Sequence, residues 1–211
     1  ALEDNHVSKC DTASAKFQSE EVGLVDESGT EEEILDQIRQ LICMIPANNE
    51  DDMSYEECDD DLNRVCKDLE NAAGDASILL STISDDHVFF ETKKNYAKEM
   101  VTGFIRLNGM TVGAVASRTE LYDEEGNITE KFDPVLTTKG SRKAAKFLKF
   151  CDAFNIPILS VTNATGFKAN IHSERSIASA VSDLIYAFAN ATVPKVNLIT
   201  ETAFGSAYIA M

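Results

Sequence analysis

Apolar positions Ile34, Leu35, Ile38, Leu41, Ile42 and Ile45 return at three- and four-residue steps, the spacing of one face of an α-helix. Thr30-Glu31-Glu32-Glu33 ahead of them has the capping-box pattern, in which the Thr hydroxyl takes an orphan amide and Glu33 reaches back to the cap, and Pro46 stops the run. Leu62, Val65, Cys66 and Leu69 predict a short helix ending by Gly74, and Ile78-Leu79-Leu80 with Ile83 predict another. From Phe89 the texture changes. Residues 101–107 and 110–117 are strand-like runs joined at Asn108-Gly109, a hairpin turn signature, and 122–127 reads as a second polar turn.

The remainder alternates helix and strand. Thr138–Ala153 is a helix with Ala144, Ala145, Phe147, Leu148 and Cys151 on one side and Arg142, Lys143, Lys146 and Lys149 elsewhere. Residues 156–161 form a nearly continuous apolar run of the kind buried on both faces of a parallel sheet, ending at Asn163-Ala164-Thr165-Gly166-Phe167. A helix over about 174–191 follows, then a second buried strand over 193–200, and Phe204-Gly205-Ser206-Ala207 opens one more helix. Strand, helix and strand in this order make a right-handed β-α-β unit, so the fold class is α/β.

Composition adds limits to this outline. The 211 residues suit one large domain or two small ones, and 44% hydrophobic residues suffice for a core despite a net charge of -17. Residues 1–90 hold 24 acids and 5 bases, a net of -19, whereas residues 91–211 hold 12 acids and 14 bases, a net of +2. Eight carboxylates fall within 50–61; the stretch lacks the alternating Asp/Asn ligands and central Gly of a calcium loop and reads as a solvated linker, with no metal site. Such a surface repels phosphate backbones, so nucleic-acid binding is not expected. No apolar run approaches the roughly 18 to 20 residues of a membrane span, and the first residues lack a signal-peptide pattern. The five cysteines are odd in number and lack zinc-site spacing, which fits free thiols in a reducing cytoplasm.

Two parallel strands ending side by side place Gly166-Phe167 and Gly205-Ser206-Ala207 at one carboxyl edge, where open α/β sheets bind ligands. Small residues there let a ligand carbonyl approach backbone amides, and a helix start at Ser206 adds unpaired N–H groups, the components of an oxyanion hole. Gly205 and Ala207 as plain turn and packing residues remains an open alternative. G-x-S-x-G, P-loop, H-E-x-x-H and G-x-G-x-x-G motifs are absent, and His6, His87 and His172 are scattered, His172 lying nearest the expected pocket. Without an evident acid/base pair, the pattern favours chemistry in which the backbone stabilises charge and the substrate or cofactor supplies reactivity.

The segments 147–159, 161–167, 186–195 and 203–208, together with Phe89-Phe90-Glu91, Val101-Thr102-Gly103-Phe104 and 109–116, resemble the carboxyltransferase subunits of biotin-dependent acyl-CoA carboxylases and decarboxylases. The likeness spans almost the whole chain and is nearest in texture to the propionyl-, methylmalonyl- and glutaconyl-CoA group. It implies crotonase-like lobes with a β-β-α spiral. The chain would then hold the tail of a first lobe (1–47), an acidic inter-lobe linker (48–86) and the start of a second lobe (87–211), a central slice inactive alone. Thr165-Gly166-Phe167 stands where the family has Pro-Gly-Phe, and Gly205-Ser206-Ala207 where it has Gly-Gly-Ala. The resemblance makes Gly166, Phe167, Ser206 and Ala207 the catalytic candidates and Thr165, Gly205 and His172 the binding ones. It implies carboxyl transfer between carboxybiotin on a carrier protein and an acyl-CoA, in a homo-oligomer, without a metal. Departures are Ala13-Ser14 at the nearest counterpart of a first-lobe Gly-Gly pair and the glycine-free segment 168–174. The alternatives are a crotonase-like hydratase or isomerase with Glu174 or Glu201 as base, and a noncatalytic module whose acidic segment binds a basic partner.

Overall fold

The structure is a computed structural model and describes residues 12–51, 54–61, 63–67, 69, 74–123 and 125–211. After a helical turn over Ala15–Phe17, continued by a wider turn over Gln18–Val22, helix α1 runs over Glu31–Met44. Its capping box forms as expected: Thr30 Oγ1 accepts from the Glu33 amide, and Glu33 accepts from the Thr30 amide at 2.7 Å. Helix α2 covers Ala76–Ile83, where the Ile78-Leu79-Leu80 run predicts it. The helix expected across 62–74 does not form over its first part: residues 63–67 are turn and coil, Leu69 is helical, and the rest of the stretch up to Gly74 lies outside the described residues. Leu62 is not described, nor are 68 and 70–73, nor His6 and Cys10 near the start.

Five strands form the central sheet in the order β1-β2-β3-β7-β9. β1 (Phe89–Thr92), β2 (Met100–Leu107) and β3 (Met110–Ser117) are an antiparallel meander, and Asn108 and Gly109 both take positive φ at the turn, as the dipeptide requires. β7 (Ile158–Ala164) pairs parallel with β3, and β9 (Lys195–Ala203) parallel with β7. Off the main sheet, β4 (Glu120–Tyr122) and β5 (Ile128–Lys131) form the second hairpin, and β6 (Val135–Leu136) pairs with β8 (Gly166–Phe167).

Alternation along β2 divides the core into two layers. Met100 and Phe104 pack with Ala144, Phe147, Leu148 and Cys151 of helix α3 (Thr138–Ala153) and with Leu184 of helix α5 (Ile177–Asn190). Val101 and Ile105 face the other way and pack with Ala76, Leu79 and Leu80 of α2. Within the stretch expected as linker, Ala76, Leu79 and Leu80 thus pack onto the sheet, with Ile83 partly buried beside them. The acidic middle of that stretch is also partly folded back, because the Glu56 amide donates to Gly109 O at 3.0 Å and the Thr111 amide donates to Ser54 O at 3.3 Å. Met44 of α1 is buried in the same core as α3.

Three further expectations shift. The helix predicted over 174–191 breaks into α4 (Ile171–Glu174) and α5, with Asn170 capping α4 through the Ser173 amide. The strand expected at 193–200 runs over Lys195–Ala203. It is largely exposed rather than buried, since β9 is the sheet's edge and Val196 and Leu198 keep 64% and 41% of their surface. Lys143 also departs from the predicted polar side of α3: it is buried.

One polar cluster crosses the layers. Arg118, 3% exposed, donates from Nε to Asp75 Oδ1 at 3.0 Å, from Nη2 to both Glu91 carboxylate oxygens at 3.2 Å and to Ser77 Oγ, and from Nη1 to Lys98 O at 3.2 Å. Asp75 also caps α2 by accepting the Ser77 amide and holds the Tyr122 amide at 3.2 Å. Removing the cation leaves two carboxylates facing each other away from water. Arg118→Met should cost about 3 to 5 kcal/mol in urea unfolding; a loss under about 1 kcal/mol would show that the cluster contributes little.

Candidate functional site

The site begins at a slip in the pairing of β7 with β9. Ile158 faces Lys195 and Thr162 faces Ile199, but Ala164 faces Ala203, so β9 carries two extra residues before the strands end. Asn163, 4% exposed, fills the gap. Its Nδ2 donates to Glu201 Oε2 at 2.8 Å, and its Oδ1 accepts the Thr202 hydroxyl at 2.6 Å and the Thr202 amide at 3.4 Å. The side-chain oxygen thus takes the Thr202 amide, a ladder donor at the slip. Parallel pairing resumes as the Phe204 amide donates to Ala164 O at 2.9 Å.

Beyond this point both chains turn. Gly205, at φ 60, starts helix α6 (Gly205–Ala210) in a left-handed conformation that a β-carbon would strain. On the β7 side, the Thr165 amide and hydroxyl both donate to Pro134 O, at 2.7 and 2.9 Å, and Gly166 and Phe167 pair with Val135 and Leu136. α6 packs against β7 and β8. The structure therefore brings the 165–167 and 205–207 segments to one sheet edge, as the sequence predicts. A β-carbon built on Gly166 or on Gly205 meets no atom within 4 Å, so space is open beside both backbones. The amides of Gly205, Ser206 and Ala207 lie in the first turn of α6, where a helix has no internal acceptor to offer.

Other candidates are held elsewhere. The Phe167 ring lines a cavity of about 370 Å³ with Ile177, Val181 and Ile185 of α5. His172 is exposed on α4 and lines a different hollow, about 420 Å³, with Glu99, Thr137, Lys168 and Ser176. Glu201 is committed to Asn163, and Glu174 is exposed on α4. Burial pushes the Cys151 thiol far above its ordinary range, which removes it as a nucleophile. Among the described residues no three His, Cys, Asp or Glu side chains converge as a metal set, and no helix is long and apolar enough to cross a membrane.

The sequence reading missed two groups. Asn163 sits inside an apolar strand, and only the paired Thr202 and Glu201 reveal its use. Lys143 carries a signal in its spacing, four residues before Phe147 on the buried side of α3. Its ammonium donates to Lys93 O at 2.9 Å and Tyr96 O at 2.8 Å, satisfying carbonyls of the irregular β1–β2 connection, in which Lys93 and Ala97 have positive φ.

Comparison with known proteins places this arrangement in a family. Residues 5–211 match the carboxyl transferase domain family, and the chain belongs to it. The propionyl-CoA carboxylase beta chain of Sus scrofa is 36% identical over 182 residues, 82% of this chain and 32% of that protein. The carboxyltransferase subunit of propionyl-CoA carboxylase from Haloferax mediterranei is 37% identical over 190 residues, 86% of this chain and 35% of that one. The methylmalonyl-CoA decarboxylase subunit alpha of Propionigenium modestum is 34% identical over 84% of this chain and 34% of its own length. The chain spans about a third of the length of these relatives. Transcarboxylase 12S, solved as a hexamer with hydrolysed methylmalonyl-coenzyme A bound, superposes with a TM-score of 0.83 at 26% identity, over 97% of this chain and 40% of that one. The fold is crotonase-like, as the resemblance implies.

Burial draws the Lys143 ammonium down from 10.5 to about 8. Between those values the unfolded chain binds the proton and the folded chain does not, so stability rises with pH in this window. Urea unfolding should show the wild type gaining on the order of 3 kcal/mol over Lys143→Met from pH 8 to 10.5. Parallel pH curves for the two proteins would contradict it.

Proposed function

We propose that this chain forms part of a carboxyltransferase that moves a carboxyl group between carboxybiotin, presented by a biotin carboxyl carrier protein, and an acyl-CoA. The observation that carries the reading is the convergence of 165–167 and 205–207 at one sheet edge in a chain of the carboxyl transferase domain family. The open space beside Gly166 and Gly205 fits a planar carbonyl, whether thioester or ureido, lying against backbone amides. Carboxybiotin supplies the activated carboxyl group when bound. The Ser206 and Ala207 amides donate to the oxygen on which charge develops, and the rise of that charge in the transition state makes their contribution catalytic. Gly166 leaves the approach clear, Phe167 anchors the facing segment through its ring, and Thr165 fixes that segment to Pro134. Ser in place of a second glycine keeps the amide and narrows the space above it.

The same reading assigns 1–47 to the end of a first lobe and, on the packing of α2, begins the second lobe near residue 74, with the acidic stretch between. It takes the whole protein to be a homo-oligomer in the cytoplasm, active only with the remainder of both lobes. A hydratase or isomerase is less well supported, because neither Glu201 nor Glu174 stands free beside the two glycines.

Intact protein given labelled carboxybiotin should pass label to one of propionyl-, acetyl- or glutaconyl-CoA. Failure with all three would sink the assignment. Ser206→Pro removes one amide at a position in the first helical turn, where proline fits. It should lower kcat by about 10²- to 10³-fold while KM for the acyl-CoA changes far less. An equal rise in KM with kcat unchanged would mean that the amide binds substrate without favouring the transition state.

A further inference from the structure

Away from the glycine segments, the outer side of α3 borders a concavity of about 340 Å³ whose lining includes five cations, Lys93, Arg142, Lys143, Lys146 and Lys149, and one carboxylate, Asp183. None of the six residues of the 165–167 and 205–207 segments lines it. In a chain of net charge -17 this local reversal of sign stands against the composition. Arg142, Lys146 and Lys149 recur at i, i+4 and i+7, which stacks them on one stripe of the helix. Like charges at that spacing weaken a helix, so solubility alone does not account for the stripe. Among the described residues these three cations make no hydrogen bond or ion pair. The other two are occupied: Lys93 Nζ is 3.1 Å from Asp26 and donates to Gly23 O at 2.8 Å, and Lys143 donates to the Lys93 and Tyr96 carbonyls. They shape the floor and leave the three on α3 for a ligand. Tyr96, part of the same wall, gives the concavity one aromatic side.

We infer that this concavity binds a small molecule carrying phosphate groups with two or more negative charges. A planar guanidinium beside two flexible ammonium groups matches the spread oxygens of a pyrophosphate or of adjacent phosphate esters, and exceeds what one carboxylate needs. An extended polyanion such as nucleic acid is disfavoured, because the chain as a whole carries a net charge of -17 and the cations are confined to this one concavity. Free polyphosphate and the phosphates of coenzyme A share this chemistry.

Isothermal titration of the intact protein with inorganic pyrophosphate tests the site. Saturable binding is expected, weakened at least tenfold in Arg142→Ala and in Lys149→Ala, and by less in Arg142→Lys, which keeps the charge and loses the planar fork. Lys131→Ala, which removes the same charge from the exposed β4–β5 hairpin, should bind as the wild type does. The stripe residues are exposed, so melting curves should show all four variants folded. Competition then separates the sources. Displacement by coenzyme A, but less by its form without the 3′-phosphate, assigns the site to that phosphate; no displacement assigns it to free polyphosphate. Absence of saturable binding to the wild type, or equal weakening in Lys131→Ala, overturns the inference. Ser206→Pro should bind pyrophosphate normally, so failure of the transfer reaction and failure of this site read out independently.

Discussion

Both loops of the candidate site hang from a single pairing error that the protein has made permanent. Parallel strands hold register through evenly spaced amide bonds, and two surplus residues in β9 leave the Thr202 amide with no strand partner. Asn163 can serve it because a side-chain amide both donates and accepts, so one residue meets Glu201 and Thr202 together. The position of Gly205 relative to Gly166 follows from where the slip is absorbed. An aliphatic residue at 163 would leave the Thr202 amide without its acceptor, and the strands would regain one register only by moving the start of α6.

Elements whose local and tertiary demands agree were legible from the residues. The Thr30 capping box, the Asn108-Gly109 hairpin and the amphipathic run of α3 each need only neighbours in sequence, and each formed where expected. Convergence of the two small-residue segments was legible as well, since parallel pairing brings equivalent strand ends together. Edge position was not. An apolar run such as Val196-Asn197-Leu198-Ile199 has the same pattern whether a strand has one neighbour or two, and the ends of β9 moved because the slip extends it. The fate of Lys143 was equally hidden, because its partners are backbone carbonyls of a distant irregular turn, which no side-chain pattern advertises. Assignment of roles to the 165–167 and 205–207 segments rested on family likeness; geometry supplied the open space and the helix start.

The acidic half is spread over both faces of the sheet: α1 packs through Met44 into the α3 layer, and α2 packs on the opposite face. Among the described residues Arg118 and Lys143 are the two cations drawn inside, and they are satisfied differently: carboxylates flank the first, while carbonyl dipoles hold the second. That difference accounts for the lowered proton affinity of Lys143, since dipoles offset less of the desolvation cost than full charges do.

Asp75 lies at the meeting point of segments far apart in the chain, capping α2, holding Tyr122 at the end of β4 and pairing with Arg118 just past β3. A node of this kind links local openings. The β4–β5 arm cannot swing away without uncapping α2, and α2 cannot fray from its first turn without stripping the guanidinium of a partner. The geometry therefore couples the opening of these pieces to one another, whereas β9 is tied to the sheet only through β7.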